Sequence, residues 1–463
     1  MWAPSFTWGE RFLGYEHMAS KRDLIQPRTL KGFRDHLPES MHGREWLLDT
    51  ARGVFRSYGF AGIDTPALEY EEILTGKGGA ESDKQTYAFE DNGGRRVAMR
   101  FDLTVPLARF VAQHEGQLGM PFKRYHVGPV WRGENTQRGR YREFMQCDFD
   151  TVGTESIAAD CESAMVIHDL MDAVAGGEFT VSINNRRVLS GYLERLGLAD
   201  RSSAVLRALD KLDKIGAEKV GAELEREAQA TESEIKGVLE LASIQGDREE
   251  VLSALASLVQ GSELGERGLQ ELHEVGAALS AAGISESRVV FDPKIARGLD
   301  YYTGTVFETK LADLPDIGSV CSGGRYDELA GLYTKSHLPG IGASLGVDRI
   351  LTALEELGRI EQRATPARVF IPYFAKDRLA DYFGLAAELR KAGLAVEVYP
   401  DSRKLGAQLK FADRRGHEVA IIVGDSEWES GIYQLKDLST GDSTEVARAG
   451  LPEAINALLK PEA

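Results

Sequence analysis

The chain has 463 residues, with 55 Lys and Arg against 72 Asp and Glu, a formal charge of −17 and 43% hydrophobic residues. That length holds roughly three domains of about 150 residues with sizeable cores, and the acidic surplus excludes indiscriminate attraction to phosphate backbones, so a nucleic acid would have to be met through local basic patches. No apolar run approaches the about 20 residues that cross a bilayer, and the opening MWAPSFTWGERFLGYEHMAS lacks the apolar block of a secretory signal.

Residues 1–20 read as a leader, with Met18 an alternative start. Trp46, Leu47, Val54, Phe55 and Tyr58 recur at helical spacing and predict a helix over 41–58. GFAGIDTPALE reads as a strand interrupted by Pro66, which cannot donate to a ladder and belongs at a sheet edge or subunit boundary. TYAFEDNGGRRVAMRFD signals a hairpin turning at DNGG. FKRYHVGPVWR and YREFMQCDFDTVG are strands around a polar loop, GENTQRGR; a helix over 155–175 and the strand EFTVSINN follow. Between 191 and 285, Ala, Leu, Glu and Lys at helical spacing predict an inserted helical module. Strands resume at RVVFDP and continue through SVCSGGRYDEL and GIGASLG. VDRILTALEELG then reads as a helix with Val347, Ile350, Leu351 and Leu354 on its apolar side. Beyond a polar linker, RVFIPYF, AVEVYP and EVAIIVG alternate with helical patterns around 376–392 and 402–416, which predicts a small α/β domain. Cys147, Cys161 and Cys321 form no CxxC pair, as expected of reduced thiols in a cytosol, and no close cluster predicts a protein-bound metal.

Chemistry concentrates in VWRGENTQRGRYREFMQCDFD, residues 130–150, where Arg132, Glu134, Arg138, Arg140 and Arg142 gather. Guanidinium forks match phosphate oxygens and stay charged. On the second strand Phe144, Gln146, Asp148 and Asp150 share one face, and Glu143, Met145, Cys147 and Phe149 the other. One aromatic with three polar groups is either a solvated sheet face or the floor of a cleft that stacks a base and holds a charged ligand. The neighbouring arginines favour the cleft. MRFDLTVPLARF places Arg100, Asp102 and Thr104 at period two; a carboxylate and a hydroxyl suit an ammonium group, though alone the stretch also reads as an exposed edge.

In KIARGLDYYTGTVFE, Tyr301 and Tyr302 would point to opposite faces of a regular strand. Gly298 and Gly304 offer irregular backbone that would bring them together; the plainer reading is an edge strand with one buried and one exposed tyrosine. GIGASLGVDRI misses the spacing of a dinucleotide fingerprint. It leaves a glycine-rich strand open to close approach, then Arg349 in a helix's first turn, where a cation opposes the dipole and calls for compensation. Arg403, Lys404, Lys410, Arg414 and Arg415 form a basic stretch that is either a solvated helix face or an RNA contact.

ARGLDYYTGTVFE and SGGRYDEL, with the stretches at 121–150 and 340–351, resemble the class II aminoacyl-tRNA synthetases, specifically the histidyl-tRNA synthetase family, from about Arg28 onward. The resemblance implies an α+β fold: a class II antiparallel sheet flanked by helices, a helical insertion and a C-terminal α/β anticodon-binding domain. It divides the chain into a leader (1–20), a catalytic core (21–190 and 286–360), the insertion (191–285), a linker (361–366) and the anticodon-binding domain (367–463). It implies a cytoplasmic homodimer, with the Pro66 region at the subunit interface. Its activity would join L-histidine, activated by ATP, to the terminal adenosine of tRNA(His), with Mg²⁺ bound mainly through the ATP phosphates.

Carried over by position, Asp150 and Tyr302 would engage the imidazole with Tyr301 beside them, and Asp102, Thr104 and Gln146 the α-ammonium. Arg132 and Arg349 would contact phosphates, Glu134 the adenine end and Phe144 the base; Arg297 would lie by the α-phosphate and, with Arg132, act in catalysis. The five basic residues from Arg403 to Arg415 would meet tRNA. Many family members carry glutamate where this chain has Asp150. The alternative is the synthetase-like, non-catalytic, histidine-sensing regulatory subunit of ATP phosphoribosyltransferase, which generally lacks the C-terminal module. The presence of Arg132, Arg297, Arg349 and that module weighs against it.

Overall fold

The computed structural model describes residues 25–75, 84–296 and 302–459. Helix Pro38–Ser57 begins with a proline, whose missing amide costs nothing in a first turn. Its core face is set by Leu47, Leu48, Ala51 and Phe55, while Trp46, Val54 and Tyr58 of the predicted face pack at the margin. Short strands β1 (Ala61–Gly62) and β2 (Leu68–Tyr70) flank Pro66, and the DNGG turn joins β3 (Ala88–Glu90) to β4 (Arg96–Met99) in a three-stranded sheet ordered β2-β4-β3.

The site rests on a larger sheet. Strands β5 (Phe122–Trp131), β6 (Glu143–Val152), β7 (Phe179–Asn185), β8 (Val289–Phe291), β9 (Thr305–Leu311), β10 (Cys321–Tyr326) and β11 (Gly340–Gly346) join β1 in the order β1-β5-β6-β11-β10-β9-β7-β8. Its centre is antiparallel, and each edge is a parallel pair, β1 with β5 and β7 with β8. Alternation along β6 gives the sheet two unlike faces. Cys147 and Phe149 are buried behind it, with the Phe55 ring 5.4 Å and the Phe60 ring 5.5 Å from that of Phe149. The opposite face carries the polar set. The register places Arg124 opposite Asp150 and His126 opposite Asp148 on one side of β6, and Gly342 and Ser344 opposite the same two aspartates on the other.

Two local expectations fail. The edge-strand reading fails in the described part of 294–308: β9 starts at Thr305 and runs inside the sheet between β10 and β7. The period-two reading of Arg100, Asp102 and Thr104 fails because a helix, Thr104–His114, starts there, and Asp102 Oδ1 accepts the amides of Thr104 and Val105 at 3.1 and 2.9 Å. Arg100 turns inward, donating to the carbonyls of Thr65 and Pro129 at 2.6 and 2.9 Å.

Between β7 and β8 the chain is helical from Arg186–Arg195 to Glu263–Ala281. Capping boxes at Thr231 with Glu234 and at Asp247 with Glu250 set two of these helices, satisfying amides their first turns would leave open. Beyond residue 366, β12 (Val369–Ile371), β13 (Val396–Val398) and β14 (Val419–Ile422) pair in parallel. An antiparallel pair, β15 (Ile432–Asp437) and β16 (Ser443–Ala447), completes this five-stranded sheet.

Helix Val347–Glu356 is clamped to β6 by one buried carboxylate. Asp348 accepts from Arg44 at 2.9 Å, from the Met145 amide at 2.7 Å and from Arg34. Burial alone would raise its pKa, but Arg44, the Met145 amide and Arg34 together hold it below the usual carboxylate value. A depressed folded pKa gives stability that is present above the unfolded value of about 3.9 and lost as pH falls through the folded one. Asp348→Asn is therefore expected to lower unfolding free energy by about 3 kcal/mol at neutral pH. The gap should shrink below about pH 4 in urea titrations; a pH-independent gap contradicts the clamp.

Candidate active site

The polar face of β6 is the floor of a cleft with two lobes, and Arg132, Gln146, Ser322 and Ser344 line both. Gln146, Asp148 and Asp150 are at most 9% exposed, which rules out a solvated sheet face.

The first lobe is cationic. Arg132 donates Nε to the Phe101 carbonyl at 3.1 Å, and its guanidinium lies 4.4 Å from the centroid of Phe101 and 5.1 Å from that of Phe144. Arg349, third in its helix, donates to the Ser319 carbonyl, which supplies part of the compensation the helix dipole requires. Both guanidinium groups are thus aimed by backbone before any ligand arrives. Glu134 lines the same lobe, 3.6 Å from Arg140. Arg138 and Arg142 serve the loop: the first pairs with Glu356, the second donates to the Glu134 carbonyl at 3.2 Å.

The second lobe is anionic. Asp102, Thr104, Asp148, Asp150, Tyr302 and Tyr326 line it. Arg124 is fully buried, with Nη2 2.6 Å from Asp150, and the Tyr326 hydroxyl donates to the same carboxylate at 2.5 Å. Burial pushes Asp150 up to about 6, against the pull of Arg124 and Tyr326. Burial likewise pushes Asp148 up to about 7, with Arg124 pulling down and Asp150 adding to the rise. Gln146 donates Nε2 to the Ser344 hydroxyl at 2.9 Å, while its Oε1 is buried with no hydrogen-bond partner among the described residues.

The glycines in the neighbouring strands keep the floor clear. A Cβ at Gly342 would run into the Phe149 carbonyl and the Asp150 carboxylate, and one at Gly324 would meet the Tyr302 ring at 3.0 Å. Tyr302 stands just ahead of β9 and packs beside Tyr326, so the cleft reaches it through irregular backbone.

The structure brings Asp102, Thr104, Gln146, Asp150 and Tyr302 together, and Arg132, Glu134, Phe144 and Arg349 together, in one cleft. Arg297 and Tyr301 lie outside the described residues. Arg403, Lys404, Lys410 and Arg414 are exposed at or along helix Leu405–Arg415, whereas Arg415 is half-buried, 5.9 Å over the Phe411 ring. Sequence reasoning missed Arg124, Tyr326 and Ser344. For Arg124 the available signal was parity: Arg124 and His126 hold alternating positions of β5, although Lys123 between Arg124 and the strand start blurs it; Tyr326 and Ser344 carried no such signal.

A family profile described as histidyl-tRNA synthetase matches residues 32–350, and one described as anticodon binding domain matches 369–458. The histidine–tRNA ligase of Rhodopirellula baltica is 59% identical over 424 residues, covering 92% of this chain and 96% of that protein. That of Wolinella succinogenes is 46% identical, covering 90% and 95%. The crystal structure of histidyl-tRNA synthetase from Nostoc sp. PCC 7120 superposes with a TM-score of 0.87 at 36% identity, over 94% of this chain and all of that one. An ATP phosphoribosyltransferase regulatory subunit/histidyl-tRNA synthetase from Bacillus halodurans, at 24% identity and TM-score 0.72, covers 87% of this chain and all of its own, and shows the shared fold alone.

Gly342→Ala is expected to force Asp150 from its partners and lower unfolding free energy by about 1–3 kcal/mol in urea titrations. Unchanged stability would mean that the floor is not closely packed there.

Proposed function

The chain belongs to the histidyl-tRNA synthetase family, and from that premise we propose how its residues divide the work of a histidine–tRNA ligase. The activity is ATP-dependent activation of L-histidine, with release of pyrophosphate, followed by transfer of the histidyl group to tRNA. The observation that carries the residue assignments is the single cleft whose cationic and anionic lobes meet at Gln146, Ser344 and Arg132.

Activation requires the histidine carboxylate to attack the α-phosphate of ATP, an encounter of two anions. Arg132 and Arg349 balance that charge as it moves onto the leaving pyrophosphate, and because backbone carbonyls already aim them, little reorganisation is needed at the moment of reaction. Arg297 is assigned to the α-phosphate by its place in ARGLDYYTGTVFE. Phe144 offers adenine the ring face that Arg132 does not cover, with Glu134 at the adenine end. In the anionic lobe, Asp102, Thr104 and Gln146 take the α-ammonium. Asp150, Tyr302 and Tyr301 take the imidazole, with Arg124 and Tyr326 fixing the Asp150 carboxylate.

Mg²⁺ is assigned to the ATP phosphates, where it would supply further charge neutralisation. Of the carboxylates lining that lobe, Asp348 is committed to Arg34 and Arg44, so the ion would be held mainly by the phosphates themselves.

The proposed division of the chain is a leader (1–20), a core (21–190 and 286–360) interrupted by the insertion (191–285), a linker (361–366) and an anticodon-binding domain (367–463). The profile matches at 32–350 and 369–458 support it. Leu68, Tyr70 and Phe89 expose 45, 53 and 43% of their surface on the small sheet beside Pro66, which supports a homodimer interface there. Among the described residues no helix is long and apolar enough to cross a membrane, and a cytoplasmic site of action is proposed. The regulatory-subunit alternative is less supported, since the catalytic-lobe arginines and the anticodon-binding match are both present.

Histidine-dependent ATP–pyrophosphate exchange, then charging of tRNA(His), tests the assignment; no exchange by folded protein overturns it. Arg132→Ala is expected to lower kcat/KM for exchange about 10²–10³-fold with the fold intact. An effect confined to histidine KM would instead make Arg132 a pocket organiser. The pair Lys410→Glu and Arg414→Glu is expected to raise KM for tRNA by at least about 10-fold while leaving exchange unchanged. Equal tRNA affinity in the charge-reversed protein would return that helix to being a solvated face.

A further inference from the structure

β6 turns three polar side chains to the anionic lobe, Gln146, Asp148 and Asp150, and the assignments above leave one of them, Asp148, without a task. It is 2% exposed, it lines the anionic lobe, and it stands between Gln146 and Asp150 on the same face of the strand. Asp150 has a charge partner and a donor: its Oδ2 lies 2.6 Å from Arg124 Nη2 as an ion pair without hydrogen-bond geometry, and its Oδ1 accepts from the Tyr326 hydroxyl. By contrast, Asp148 Oδ1 and Gln146 Oε1 are buried acceptors with no hydrogen-bond partner among the described residues. An unpaired buried acceptor costs about 1–3 kcal/mol, and two on adjacent same-face positions need an explanation.

Their common complement is a group with several N–H donors and a positive charge. Neutral donors would satisfy the amide oxygen but leave the carboxylate's charge unanswered; an ammonium answers both. We propose that Asp148 is a substrate-binding residue of the amino-acid lobe, its Oδ1 joining Gln146 Oε1 as a seat for the substrate's α-ammonium. This rests on the histidine–tRNA ligase reading and names a contact that reading did not contain.

The surroundings fit an acceptor that gains its charge partner only when substrate binds. From β5, His126 faces it, but burial and the neighbouring Arg124 and Arg100 push that imidazole down to about 4, so it is neutral. The thiols of Cys147 and Cys321 are buried and held well above their usual range, so they carry no charge at neutral pH. From β11, Ser344 stands opposite Asp148 in the ladder, and its hydroxyl pulls the Asp148 pKa down. The charged groups that remain are Arg124 and Arg100 against Asp150 and Asp102. In the empty lobe burial pushes Asp148 up to about 7. An ammonium over Oδ1 favours the anion, so binding at pH 7 expels protons from the fraction of molecules that carry one.

The test compares three ligands by calorimetry on the full chain: histidine, histidinol, which keeps the ammonium but lacks the carboxylate, and imidazole-propionate, which lacks the ammonium. Asp148→Asn is expected to weaken histidine and histidinol alike, by about 10–100-fold, to leave imidazole-propionate within about twofold, and to leave KM for ATP unchanged. Equal weakening of all three ligands, or of none, overturns the proposal. A second reading uses one ligand, so that its own ionisation cancels: in buffers of different ionisation enthalpy at pH 7, histidine should release more protons on binding the wild-type chain than on binding Asp148→Asn. Equal release from the two proteins overturns the proposal. Wild-type protein that binds histidine while Asp148→Asn is unaffected overturns this contact alone. Wild-type protein that binds no histidine overturns the ligase reading and this contact with it.

Discussion

A guanidinium with no solvent exposure, Arg124, sits 2.6 Å from Asp150 beneath the floor of the cleft, and the arrangement of the anionic lobe depends on that pair. Burying two charges is expensive, and their attraction offsets the cost only when geometry is good and other partners help. Here the Tyr326 hydroxyl supplies one such partner, and antiparallel register fixes Arg124 directly across from Asp150. A hydrophobic pair would serve stability as well. A neutral pair would leave no fixed acceptor for a polar ring, which is what the proposed imidazole contact at Asp150 requires.

That pair is possible because β6 is two-faced. Its back packs aromatic rings and helices, which makes the strand rigid; its front is polar yet covered, which makes ligand contacts strong. The flanking glycines are the other half of the device. Where any larger residue at Gly342 would strike the Asp150 carboxylate, glycine lets the floor lie flat against the neighbouring strand. The Asp348 clamp then ties the helix bearing Arg349 to the same strand, so both lobes are referenced to β6.

Much of this was legible in the sequence because period-two alternation is a local property. Phe144, Gln146, Asp148 and Asp150 could be placed on one face from spacing alone, and the cleft over a solvated face from the nearby arginines. What spacing could not supply was register. Arg124 lies 26 residues before Asp150, and only the ladder shows that the two oppose each other. The stretch around Tyr302 misled in a different way: the plainer reading placed it on an edge strand, whereas β9 begins at Thr305 and is paired on both sides. At Asp102 a helix cap, with its carboxylate accepting two amides, mimicked strand alternation over a span too short to tell them apart. The last two strands were passed over because β15 is only six residues long, with just Tyr433 and Leu435 turned inward, and β16 carries a single partly buried apolar residue, Val446.

The central claim is that one strand face seats both substrates, nucleotide phosphates at its arginine end and the amino acid at its aspartate end. A crystal structure with histidine and a non-hydrolysable ATP analogue tests this most directly. The account predicts triphosphate oxygens within hydrogen-bond reach of Arg132 and Arg349, the imidazole against Asp150 and Tyr302, and the reacting carboxylate between them above Gln146. Ligands bound with those guanidinium groups turned away, or an amino acid seated off the β6 floor, would contradict it.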